Sequence, residues 1–379
     1  MKIGLFLPQN NHFYARIATA LKTGFEAFGH KVFYDLKLYE SDMLLQFCRC
    51  FEPDCIFEMN RSKNEIDELP GNIIHIAWIV DLLGRDINDI QESELIYFFG
   101  TGWKDLHVNK HESFVDWLPP GFCPDTYKPT HRSKIFDFSF IGHIPRPWAS
   151  TELNRIIYAQ GDTYFTFKQL FEQCQSTWAQ HGGLHQLRPR QYLQMIEDVL
   201  RSNINNDFRI NDRIIKYDIE TRSTRMINRQ TLMDKALSSS SSTSIFGSNN
   251  WLEWPNYRPF YAGYLDTHDK VRNIYQSTKL SLHEGIGIHF RTLDCMGAGG
   301  TLAFMPTSRD DLTDGINSHF EPFRHYIPID INGDCGHLKY YLKNDSKILK
   351  IAQEASLLVK QKHTWYARCK KILSNIASL

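Results

Sequence analysis

The sequence predicts an α/β protein made of two parallel sheets, each covered by helices on both faces. Three observations carry this expectation. Short β-rich apolar runs alternate with stretches whose apolar residues recur at helical spacing, the pattern of buried parallel strands joined by crossover helices. Several of the strand-like runs end in glycine or in short polar loops. The length, 379 residues, exceeds one ordinary domain of about 100–200 residues, so two domains are expected.

The first domain is read over residues 1–130. Lys2 to Leu7 forms an apolar strand, Pro8 to His12 a loop, and Ile17, Leu21, Phe25 and Phe28 recur on one helical face. Gly29 suits the position just past that helix, and Lys31 to Tyr34 follows as the next strand. Cys55 to Glu58, Ile73 to Val80 and Leu95 to Phe99 supply further strands. The second domain, over 131–355, opens with the strand Phe136 to Gly142 and is interrupted at about 150–240 by an insertion read as helical. Ser238 to Ser242 reads as a short flexible loop. Strands resume at Ser244 to Gly247, Lys279 to Leu282, Gly300 to Phe304 and Tyr326 to Ile329. From Ser346 the pattern is helical, and 356–379 is expected to close the chain as a helix.

Composition narrows the function classes. Apolar residues make up 42% and charged residues 23% of the chain, which excludes a disordered or collagen-like protein. Lys plus Arg and Asp plus Glu each number 43. With no basic surplus, nucleic acid is not an expected partner. The opening residues turn polar too soon for a signal peptide, and no apolar run approaches the ~20 residues of a membrane span. A cytoplasmic protein is therefore expected, with peripheral membrane contact left open. Of eight cysteines only Cys48, Cys50 and Cys55 cluster, without the paired spacing of a zinc site. Buried thiols are expected, and no metal.

Parallel α/β sheets take their ligands at the carboxyl ends of the strands, which ranks the polar residues of this chain. Asp81 follows a strand, where its carboxylate would serve as a general base or as a helix cap. His12 lies in the first strand-to-helix loop, where an imidazole can accept a hydroxyl proton near neutral pH. The densest segment runs from His283 and Glu284 through Gly285 and Gly287 to Arg291, Thr292 and Asp294, then Gly297, Gly299 and Gly300. A glycine-bearing loop leads into a short helix, so backbone N–H groups and the Arg291 guanidinium would suit a diphosphate. Asp294, one turn on, would accept a ribose diol; a structural glycine turn with a surface arginine is the plain alternative. Gly142 with Arg146, and Gly247 with Ser248, form two more polar loops after strands, and the three together favour a nucleotide-bearing ligand. Trp251, Trp254, Tyr257 and Phe260 are read as core or loop lid.

In order and spacing these segments resemble the GT-B glycosyltransferases, most closely the CgeB-like group. The resemblance rests on the opening strand, loop and helix to Gly29-His30-Lys31-Val32, Ala77 to Asp81, Trp117 to Gly121, Tyr127 to Pro129, Phe138 to Gly142 with Arg146, Phe246-Gly247, Tyr261 to Tyr264, Ser277 to Leu282, Arg291 to Asp294, Gly297 to Phe304 and His363 to Arg368. It implies two Rossmann-like domains facing a cleft, the N-terminal one holding the acceptor and the C-terminal one a nucleotide-sugar donor. The last helix would return to the first domain. By position, Arg291 would contact the diphosphate and Asp294 the ribose, while Gly142, Arg146 and Gly247 would border the donor pocket together with Ser248, His283, Glu284 and Thr292. Asp294 stands where the group generally has Glu, and Glu284 and Asp294 are ten residues apart rather than forming a Glu-x7-Glu pair, so retention or inversion stays open. The implied reaction moves a sugar from a nucleotide sugar to a hydroxyl of a glycan, protein or small molecule, without cofactor or metal, using Asp81, His12 and Arg291. An epimerase or phosphorylase on the same fold, a degenerate binding protein, and a DNA-base glucosyltransferase are the alternatives, the last opposed by the zero net charge.

Overall fold

In the computed structural model, which describes residues 1–82, 85–130, 132–160, 163–180, 183, 189–203, 212–285 and 287–379, the alternation of strands and helices forms two units. In chain order the elements begin with β1 (Lys2–Phe6), α1 (His12–Glu26), β2 (Lys31–Asp35), α2 (Ser41–Phe51), β3 (Cys55–Met59), β4 (Ile74–Ile79), β5 (Leu95–Phe98), α3 (Thr101–Leu106) and β6 (Phe114–Trp117). Next come β7 (Phe136–Ile141), α4 (Ser150–Leu153), β8 (Ile156–Gln160), β9 (Thr163–Thr166), α5 (Phe167–Gln180), α6 (Pro189–Asn203), α7 (Arg213–Tyr217) and α8 (Thr224–Ser239). The rest are β10 (Thr243–Phe246), β11 (Tyr261–Gly263), α9 (His268–Ser277), β12 (Thr278–His283), α10 (Phe290–Gly297), β13 (Leu302–Phe304), β14 (Ile327–Pro328), α11 (Gly336–Leu342), α12 (Asp345–Lys362) and α13 (Trp365–Ile376).

The first unit comprises Met1–Lys128, Ile288–Gly297 and Ser356–Leu379. Its sheet is parallel throughout, in the order β2-β1-β3-β4-β5-β6. Ile3, Leu5, Phe57, Ile76 and Trp78 bury one face against Ile17, Leu21 and Phe25 of α1 and Trp365, Cys369 and Ile372 of α13. Phe6 and Ile56 bury the other against Leu44 and Phe47 of α2. Burial on both sides explains the unbroken apolar strands, and each such side chain contributes about 1.5–3 kcal/mol. Asn11 caps α1 by accepting the Tyr14 N–H at 3.1 Å. On α13, Arg368 donates to the carbonyls of Pro119 and Pro120, and Lys371 pairs with Asp116 at 2.7 Å. Helix α10, which the sequence assigned to the second domain, groups with the first unit. Phe290 packs among Phe13, Trp78 and Phe99, and Asp294 pairs with Arg16.

The second unit comprises Pro129–Gly287 and Ala298–Ala355. Its parallel sheet has the order β11-β10-β7-β12-β13-β14. Phe138, Phe140, Ile245, Leu280 and Leu282 form its core with Leu232, Met233 and Ala236 of α8. The region expected to be helical at 150–240 also contains an antiparallel hairpin, β8–β9. Ile156, Tyr158, Tyr164 and Phe165 are β-formers, and tertiary pairing draws them into strands. Phe167, Leu170, Cys174, Trp178, Ile196, Leu200 and Ile219 give the insertion its own small core. The serine run is not simply a loop: Ser238 and Ser239 end α8, each hydroxyl bonding a carbonyl four residues back, and Ser240 donates to Asp137 at 2.7 Å. The last expected strand, Tyr326 to Ile329, narrows to the two residues of β14.

All eight cysteines are free, and burial pushes the Cys55 thiol up to about 12. Among the described residues no helix is long and apolar enough to cross a membrane, and no group of three or more His, Cys, Asp or Glu is placed to hold a metal ion.

Candidate active site

Where the strand order of an open parallel sheet reverses, the outgoing loops diverge and leave room for a ligand at the carboxyl edge. In the first sheet the reversal falls at β1 and β3, in the second at β7 and β12.

At the first edge, β1 leads into α1, whose first residue is the exposed His12. Asp81 is exposed two residues past β4. Tyr14, in the first turn of α1, senses it: burial, reinforced by the Asp81 charge, lifts the phenol above its ordinary value. Asn60, just past β3, is buried and left-handed at φ 64°. Its side-chain carbonyl accepts the backbone N–H of Val80 at 2.7 Å and of Asp81 at 2.9 Å.

Also in the first unit, α10 carries Arg291, Thr292 and Asp294. Arg291 is half-buried, and its backbone N–H donates to His289 Nδ1 at 3.2 Å. Thr292 is fully buried. Asp294, expected to meet a ribose, is buried, and both of its oxygens accept Arg16 Nη1 at 2.8 Å. The Tyr127 side chain also hydrogen-bonds it. Burial opposes the Arg16 charge, but Asp294 outweighs it and raises the guanidinium above its ordinary value. Burial and the Asp294 charge push the Tyr127 phenol up as well. This carboxylate fastens α10 to α1, and a sugar diol would have to compete with a buried ion pair.

At the second edge, the β7 exit loop is clamped by side chains from the segment after β10. Trp251 Nε1 donates to the Gly142 carbonyl at 2.8 Å, Asn250 Nδ2 to Ile144 at 3.0 Å and Trp254 Nε1 to Pro145 at 3.0 Å. The aromatic cluster noted in the sequence therefore holds a loop at the sheet edge. Gly247 has φ 147°, and a Cβ there would collide with the Gly142 carbonyl, so only glycine lets β10 and β7 exit side by side. Ser248 follows, its hydroxyl buried without a hydrogen-bond partner among the described residues. His283, at the end of β12, stacks nearly parallel on Phe304 with centroids 5.5 Å apart. Glu284 is buried against Arg229 of α8, whose guanidinium also donates to the His143 carbonyl. One buried cation thus ties the β7 and β12 exits together at the reversal. Arg146 is mostly exposed and pairs with Glu253 at 3.1 Å.

The second unit accordingly gathers Gly142, Gly247, Ser248, His283 and Glu284 on one sheet edge, with Arg146 on the loop leading away. Asp81 and His12 lie on the edge of the first sheet, and Arg291, Thr292 and Asp294 belong to the same unit. Ile286, within the glycine-bearing loop, lies outside the described residues. Arg229 and Asn60 were missed from sequence. A signal for Arg229 existed, since it falls on the apolar stripe of Met226, Leu232, Met233 and Ala236, where a charge must find a partner.

Residues 228–374 match the model of a family described as glycosyl transferase-like. No curated protein matches the chain by sequence. Among solved structures, a sucrose-phosphate synthase from Thermosynechococcus elongatus superposes with a TM-score of 0.54 at 8% identity, over 100% of this chain and 98% of that one. An alpha-glucosyltransferase in complex with UDP and a 13-mer DNA containing a central A:G mismatch gives 0.53 at 10% identity, over 100% of both chains. At such identities the likeness speaks for the fold. The two six-stranded parallel sheets thus give the chain the fold of these GT-B structures, and its residues 228–374 are glycosyl transferase-like in sequence.

Proposed function

We propose that the protein transfers a sugar from a nucleotide-sugar donor to a hydroxyl acceptor without a metal ion, and that it falls in the CgeB-like group. The carrying observation is the edge of the second sheet, where Gly247 lets the chain pass close against the Gly142 carbonyl and Arg229 pairs with Glu284. Such an edge suits a nucleotide, with Ser248, His283 and Arg146 as further contacts. UDP bound to a protein of the same fold supports the nucleotide reading. Departure of a nucleoside diphosphate needs positive charge placed beforehand, and Arg291 at the start of α10 is assigned that task, with Thr292 beside it. Asp81, with His12, is assigned to orient or deprotonate the acceptor. Asp294 is left out of the donor contacts because its oxygens are already engaged.

The test is donor hydrolysis across UDP-, GDP-, dTDP- and CDP-linked sugars, with EDTA present, because hydrolysis needs no knowledge of the acceptor. Turnover of one class is expected, together with a rise in melting temperature on adding the matching nucleoside diphosphate. Arg291→Ala and Asp81→Asn should each lower kcat at least about tenfold without lowering the melting temperature. Stabilisation by none of the four diphosphates, or wild-type turnover in both variants, would overturn the proposal. Sugar phosphate released only when phosphate is supplied would indicate a phosphorylase instead.

A further inference from the structure

Asp81 sits in an exposed turn, yet the atoms that aim it are buried. Strand β3 ends at Met59, and Asn60 follows in the left-handed region at φ 64°. That conformation disfavours any residue with a Cβ, and asparagine tolerates it better than most. The Asn60 N–H donates to the Trp78 carbonyl at 2.9 Å, continuing the β3–β4 ladder by one bond. Its side-chain carbonyl then takes two successive N–H groups as the chain leaves β4, those of Val80 and Asp81. On the return side, Arg85 Nη2 donates to the Asp81 carbonyl at 3.3 Å, and the same guanidinium is held by both oxygens of Glu65. The Asp81 backbone is thus held on both sides, at its N–H by Asn60 and at its carbonyl by Arg85, while the residue itself stays exposed.

A turn open to water needs no buried, strained asparagine to satisfy its amides, since water would serve. Strain kept at the carboxyl edge of a parallel sheet points to a requirement on geometry. We infer that Asn60 is the positioning residue for Asp81, terminating β4 so that the carboxylate is presented to the acceptor hydroxyl. This rests on the assignment of Asp81 made above. The Asp81 charge reaches Tyr14 of α1, and Arg85, itself held by Glu65, reaches the Asp81 carbonyl.

Two substitutions separate geometry from fold. Asn60→Gly keeps the left-handed backbone and removes the acceptor; Asn60→Asp keeps the acceptor and adds a negative charge near Asp81. The readouts are melting temperature, amide hydrogen exchange over Val80 and Asp81, and kcat, KM and pH profile for the best hydrolysed donor of the panel. Asn60→Gly should exchange faster at those amides and lose about tenfold or more in kcat, with donor KM within about twofold. Asn60→Asp should retain exchange protection, while the acid limb of kcat/KM moves up by about one pH unit, because a neighbouring anion disfavours ionisation of the base.

Wild-type kcat in folded Asn60→Gly, or unchanged exchange, would overturn the inference. If Asn60→Gly does not fold, the pH profile of Asn60→Asp decides, and an unmoved acid limb is then the overturning result. Asp81→Asn run alongside distinguishes the failures. Full activity there removes the Asp81 assignment and this inference with it; loss of activity there with a fully active Asn60→Gly removes only the positioning role.

Discussion

Asp294 carries a buried contact that its neighbours in the sequence do not announce. A carboxylate one turn after an arginine at a helix start looks like a ribose acceptor, yet its partner, Arg16, is 278 residues away in the chain and invisible to local spacing. The pair is buried on both sides, and Arg16 also lies over the Tyr127 ring at 5.1 Å. Removing one member of a buried pair leaves the other charged and unpaired, which costs about 3–5 kcal/mol, whereas replacing both by apolar residues is often neutral. Asp294→Ala should therefore lower the melting temperature strongly, and Arg16→Met with Asp294→Leu should recover most of that loss. A donor contact would behave differently, with the fold intact and only the nucleoside diphosphate shift lost. Thermal melts with and without the diphosphate decide it.

At the scale of elements, what could be read from the sequence and what could not have one physical cause. Strands buried on both faces and helices with apolar stripes announce themselves within a few residues, so β1, α1, β4, β7 and β12 were legible. So were the glycines at strand ends, because a backbone that must pass close to another leaves a mark at its own position. The Arg229 tie between the β7 and β12 exits was not, since Arg229 reaches a carbonyl 86 residues away and a carboxylate 55 residues away. Asn60 was hidden for the same reason, its partners lying 20 and 21 residues on. Gly247 is the legible device whose weight can be measured. It combines positive φ with a neighbouring carbonyl in the space a Cβ would take, whereas Gly263, also at positive φ (105°), has nothing within 4 Å. Gly247→Ala should lose about 1–3 kcal/mol and the nucleoside diphosphate shift. Gly263→Ala, carrying backbone strain alone, should lose less stability. Equal melting temperatures for the two variants would refute the close-approach argument.

For the whole molecule, the important fact is that the first unit is not one stretch of chain. Residues 1–128 bring all six strands of its sheet, but the face over β1, β3 and β4 is completed by α10 and α13. Trp365, Cys369, Ile372 and Ile376 are buried there, Trp365 edge-on to Trp78 at 5.7 Å. Backbone bonds add to this: Phe122 N–H donates to the His363 carbonyl at 2.6 Å, and Trp365 N–H to the Phe122 carbonyl at 3.2 Å. At about 2 kcal/mol for each large apolar side chain, the burial supplied by α13 is comparable with the whole stability of a typical domain, about 5–15 kcal/mol. Ending the chain after Lys362 should therefore unfold the first unit rather than merely trim it. The expected result is loss of protection from hydrogen exchange across β1, β3 and β4, with β7, β10 and β12 of the second unit keeping theirs. Retained protection in β1 would mean that the first 128 residues carry a sufficient core by themselves, and that α13 covers a face already stable without it.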